Sequence, residues 1–186
     1  MTMSTGRGVT TGAAADATAL ANTRLSRALV AGVRIVLALM WIQNVFWKVP
    51  PDFGKERGAD LYQFTNHAVE HPVFPPYSWI VEHVVLPNFG LFGWLVLFTE
   101  AALGAFLLIG LATRFWALVG IGQTLAITLS VLNTSGEWHW SYYLMLIAHV
   151  AVFAVAAGRA GGLDGVLRPL WLASPGRLPR LLARAS

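Results

Sequence analysis

The sequence contains no cysteine. That rules out disulfides, thiolate-bound metals, iron–sulfur clusters and any cysteine redox relay within this chain. Charge is scarce as well. Asp, Glu, Lys and Arg make up 12% of 186 residues and hydrophobic residues 56%, whereas soluble domains carry about 25% charged residues. A shortage of that size points to a bilayer as solvent. The net charge of +4 gathers into no basic patch, so nucleic acid is not an expected partner. No small-residue cleavage site follows the first apolar run, which continues into Trp47-Lys48-Val49-Pro50-Pro51. It is therefore read as an anchor and not a removable leader. Residues 1–24 have few large apolar side chains and too little surface to bury, and are read as a disordered cytoplasmic tail.

Four apolar segments are present, at about 28–47, 89–112, 115–132 and 140–157. A helix rises ~1.5 Å per residue, so each is near the ~20 residues needed to cross the hydrocarbon. Single spans in lipid must be helical, because only a helix satisfies its own backbone. The fold expected is all-α: an integral membrane four-helix bundle over 25–170, with a helical extracytoplasmic loop at 48–88 between helices 1 and 2. Within that loop 58–69 and 77–86 read as short helices, separated by Pro72, Pro75 and Pro76. Residues 171–186 read as a basic cytoplasmic tail.

Charge sets the orientation. Arg7, Arg24, Arg27, Arg114, Arg159, Arg168, Arg177, Arg180 and Arg184 fall on one side of the four segments. The other side holds Lys48, Lys55 and Arg57 among six acidic residues. The positive-inside rule then predicts a multi-pass protein of the cell membrane, with both termini in the cytoplasm.

One polar residue falls deep in each segment: Arg34, Glu100, Gln123 and His149. A lone ionised carboxylate in hydrocarbon costs at least ~2.5 kcal/mol, so Glu100 should face the bundle and find a partner. Arg34 is the partner expected. The four either form a packing network between helices or a site for a proton-coupled ligand such as a quinone headgroup, with Glu100, Gln123 and His149 as its contacts. Asn44, Lys48, Trp138 and His139 would form the outer mouth. A haem is not expected, since His149 has no second mid-membrane histidine. His67-Ala68-Val69-Glu70-His71 matches the H-x-x-E-H pattern of inverted zinc peptidases. It lacks a domain to supply a substrate cleft, so no metal is expected either.

Residues 28–170 resemble the DoxX family of small membrane proteins, closest to its DoxD-like branch. The resemblance rests on several stretches. The first runs from Arg34 to Trp41 with Lys48 shortly after, Asn44 standing where the family usually has glycine. The others are Glu100-Ala101-Ala102-Leu103-Gly104 running to Gly110 and Thr113-Arg114, then Glu137-Trp138-His139-Trp140, and Gly158-Arg159 to Leu163-Asp164. It implies the membrane subunit of a quinone-linked oxidoreductase, with thiosulfate as electron donor, quinone as cofactor and a partner redox subunit. The rival expectation is a non-enzymatic protein, either a solute transporter working as a homodimer or a scaffold for a redox enzyme.

Overall fold

The computed structural model describes residues 23–186, so nearly all of the tail read at 1–24 lies outside the described residues. The helices are α1 (Arg24–Val45), α2 (Asp60–Glu70), α3 (Pro75–Ile80, continuing as a π turn over Val81–Val85), α4 (Phe89–Ile109) and α5 (Thr113–Val131). After them come α6 (His139–Ala154), a 3-10 turn at Ala157–Arg159, α7 (Leu163–Ala173) and α8 (Arg177–Ala185). No strand occurs among the described residues.

α1, α4 and α5 are long and apolar enough to cross a membrane. At ~1.5 Å per residue they span about 28–33 Å, close to the thickness of a hydrocarbon core. α6 is apolar but shorter, with 16 residues. The protein is a multi-pass membrane protein. α1 packs on α4 and α6, and α5 on the same two helices from the other side. We call the end where α1 begins the inner end and the opposite one the outer end.

The inner end is closed by a polar network that also explains the helix boundaries. α1 starts where Thr23 caps the Ser26 amide at 3.1 Å, the usual role of a hydroxyl at an N-cap. α4 stops at Gly110, whose φ of +69° suits glycine. Arg34 donates to the Leu107 and Leu108 carbonyls at 2.5 and 2.8 Å, satisfying the orphan acceptors of that helix end and complementing its dipole. The N-terminus of α5 has no local cap. Asp164, fully buried, supplies one from the far end of the chain, accepting from the Ala112 and Thr113 amides at 2.7 and 2.9 Å. Gly158 lies so close that a Cβ there would overlap Thr113 Oγ1 and Asp164 Oδ2.

Two apolar clusters hold the rest. Leu37, Ala38, Trp41, Leu103, Leu107, Ala117, Val152 and Ala157 form the main core. Phe53, Leu61 and Phe89 form a second one under the outer segment. Phe53 lies against Gly93, where a Cβ would collide with its ring, and edge-on to Trp94 at 5.5 Å. Tyr77 donates to the Ala126 carbonyl at 3.1 Å and Asn133 to that of Pro72 at 2.8 Å. The outer segment is thus folded onto α4 and α5. Residues 171–186, read as a tail, are helical for the most part. α8 packs on α7 and α5, with Ala183 and Ser186 buried and the Ser186 carbonyl accepting from Arg159 at 2.9 Å.

Candidate functional site

Glu100 is 1% exposed on α4, and its partner is Lys48, with Nζ 2.5 Å from Oε2. α1 ends at Val45, and the turn after it (Lys48 N–H to Val45 O, 3.2 Å) sends the Lys48 side chain back into the bundle. Its ammonium also donates to the Asn44 carbonyl at 2.7 Å and sits 4.2 Å above the Trp47 ring. Gln123 on α5 donates to Glu100 Oε1 at 3.3 Å, and the Asn44 side chain adds a further polar contact to the carboxylate. Buried charges are tolerated when paired and further hydrogen-bonded, and this pair is both.

Arg34 is not part of this group. Side chains on a helix lean toward its N-terminus. On α1 that direction is inward, taking Arg34 down to Leu107, seven residues or ~10 Å of helix rise below Glu100. On the antiparallel α4 it is outward, taking Glu100 up to Lys48. The expected Arg34–Glu100 pair does not form for this reason.

His149 lies apart too. It is fully buried, and its Nδ1 meets the Met145 carbonyl at 2.8 Å while Nε2 accepts from Trp41 Nε1 at 2.9 Å. A carbonyl can only accept and an indole N–H can only donate, so the ring is the neutral Nδ1–H tautomer with no free nitrogen. Gly120 leaves room for it, since a Cβ there would overlap the imidazole.

A cavity of about 970 Å³ opens beside the ion pair, at the upper end of the ~300–1,000 Å³ usual for ligand pockets. Lys48, Glu100, Gln123 and Asn44 give it a polar wall. Met40, Leu95, Val96, Ile127, Val131 and Met145 make much of the remainder apolar, and Leu61, Phe64 and Thr65 of α2 line its outer part. The Trp41 indole, held by His149, forms another wall. Of the outer-mouth residues read from the sequence, Asn44 and Lys48 line the cavity, whereas Trp138 and His139 stand exposed at the start of α6 and do not.

Sequence reasoning did not single out Tyr77 and Ser130 as lining residues. Their hydroxyls meet at 3.0 Å beside the cavity. Burial raises the Tyr77 phenol above its ordinary pKa, the Ser130 bond offsetting part of this, so Tyr77 stays a neutral donor. Its place on the apolar face of its short helix was the available signal.

The arrangement suits a molecule with an apolar body and a polar head. Lys48 Nζ and Gln123 can donate to oxygen atoms of that head, and Glu100 can accept or release a proton beside them. A model of the family described as "TQO small subunit DoxD" matches residues 29–172. No curated protein and no solved structure shows a match.

Proposed function

The chain belongs to the DoxD family, and from that premise we propose that it is the membrane subunit of a thiosulfate:quinone oxidoreductase-like complex whose cavity receives the quinone. The observation that carries this reading is the buried Lys48–Glu100 pair set into an otherwise largely apolar chamber. A quinone partitions into the bilayer, and its reduction takes up protons with electrons. Lys48 Nζ and Gln123 Nε2 orient the head by hydrogen bonding. The buried Glu100 carboxylate takes up and delivers a proton beside that head, as a positioned acid or base does.

Electrons come from elsewhere. The chain has no cysteine for a covalent sulfur intermediate. The outer segment sets Asp52, Glu56, Asp60, Glu70 and Glu82 against Lys48, Lys55 and Arg57, a net acidic surface and a poor attractor for a dianion such as thiosulfate. A partner redox subunit meets the sulfur substrate and passes electrons to the quinone.

In this reading α6 is the fourth span of a four-helix bundle, lengthened by Trp138 before it and the turn at Ala157–Arg159 after it. Both termini lie in the cytoplasm of a bacterium or archaeon and the cavity opens on the outer side, as the arginine asymmetry supports.

Quinone reduction in membranes carrying Glu100→Gln tests the assignment. Turnover should drop roughly 100-fold, the scale of losing one positioned proton carrier. Unchanged turnover would remove the ion pair from the mechanism.

A further inference from the structure

The H-x-x-E-H segment closes α2 at the outer end. In the structure His67, Glu70 and His71 each offer one ligand atom, and the three atoms lie within 4.8 Å of one another. His67 Nδ1 is 3.2 Å from Glu70 Oε2, and the two imidazole rings are 5.8 Å apart. We propose that these three residues bind a divalent cation of borderline softness, zinc foremost.

The chemistry of the set is the first argument. Two imidazoles and one carboxylate suit zinc, copper and nickel, and exclude a preference for magnesium or calcium, which want oxygen alone. The geometry is the second. A tetrahedral zinc at ~2.0–2.1 Å from its ligands holds them about 3.4 Å from one another. His67 and Glu70 already meet that spacing. His71 follows the last helical residue and is exposed, so rotation of its side chain closes the remaining gap. The fourth position faces water.

Supporting contacts are the third argument. Asn66 Nδ2 donates to Glu70 Oε1 at 2.8 Å, leaving Oε2 aimed at His67, the kind of outer-shell bond that orients ligating carboxylates. The Phe64 and His67 rings stand perpendicular to one another, their centres 6.1 Å apart. An ion pair between His67 and Glu70 alone would leave His71 without a role. None of the three residues lines the cavity, so the site is set apart from the Lys48–Glu100 pair. Phe64 also lines the cavity, so a bound cation would stiffen the helix that forms the cavity's outer wall.

Zinc titration of the full chain, purified in detergent with no polyhistidine tag, tests this by calorimetry and by metal analysis after gel filtration. One zinc per chain is expected. His71→Gln, at an exposed position outside the helix, should weaken binding at least about tenfold, and His67→Gln should do the same. His83→Gln, in a separate outer helix, should bind as the wild type does. Circular dichroism of the zinc-free variants confirms that each is folded. A wild-type chain that takes up no zinc overturns the proposal, and so does binding that both His67→Gln and His71→Gln leave intact.

Discussion

Lys48 and Glu100 show how the direction of a side chain decides a partnership that depth alone leaves open. From sequence alone, Glu100 pairs with Arg34 and Lys48 falls at the outer mouth. The lean of helical side chains toward their own N-terminus sends Arg34 away from Glu100 and Glu100 toward Lys48. The need for a partner was legible from the chemistry of a carboxylate in hydrocarbon. Its identity required the antiparallel register of α1 and α4. Lys48→Met strands Glu100 without its cation, and losing one partner of a buried pair costs about 3–5 kcal/mol. The double variant Lys48→Met/Glu100→Gln should recover most of that loss. Thermal unfolding in detergent checks this, and a double variant as unstable as the single one would show that the pair is not a closed unit.

His149 offers a second residue-scale test. A methyl group at Gly120 would overlap its ring. Gly120→Ala should therefore destabilise by about 1–3 kcal/mol, as overpacked cores do. Combined with His149→Ala it should cost less than the two single changes added together, since the overlap is gone while the cost of losing the ring remains.

The helices themselves were readable to within a few residues, since each span is a long apolar run ended by a recognisable signal. α1 occupies 24–45 against the 28–47 expected, and α5 occupies 113–131 against 115–132. What local sequence did not show is how α5 is capped. Its N-terminal amides bind Asp164, 51 and 52 residues further on, and no window of neighbouring residues reveals a cap from that distance. The same contact accounts for the Gly158–Asp164 and Thr113–Arg114 stretches as one inner-end assembly. Asp164→Ala should cost at least ~1–2 kcal/mol, the value of a lost N-cap with one buried and one part-buried amide left unpaired. Asp164→Asn, keeping one acceptor, should cost less. Comparing their thermal midpoints decides it, and equal midpoints for all three proteins would dismiss the capping role. α8 went unread because it is short, carries Pro179 in its first turn and is rich in arginine. Leu178, Leu181 and Leu182 were the weak signal of a sided helix.

At the scale of the whole molecule, composition and hydropathy were sufficient for an all-α membrane protein. They were insufficient for the cavity. That space exists because the outer segment is braced against α4 and α5 by Phe53, Tyr77 and Asn133, contacts between residues far apart in sequence. A chain without cysteine allows its sidedness to be mapped without background. Single cysteines at Thr65 and Ser141, both lining the cavity, should react with a membrane-impermeant maleimide added outside intact cells. Ser174→Cys, exposed between α7 and α8, should react only after lysis. The reverse pattern would invert the proposed orientation.

Lys48 belongs to the root of the outer segment, and Glu100 to the middle of a span. The bond between them works as a latch across two parts of the protein, beside the Tyr77 and Asn133 hydrogen bonds and the Phe53 packing. Neutralising the carboxylate leaves the ammonium with only the Asn44 carbonyl and the Trp47 ring. Protonating Glu100 would therefore loosen one of the ties that hold the outer segment to the spans.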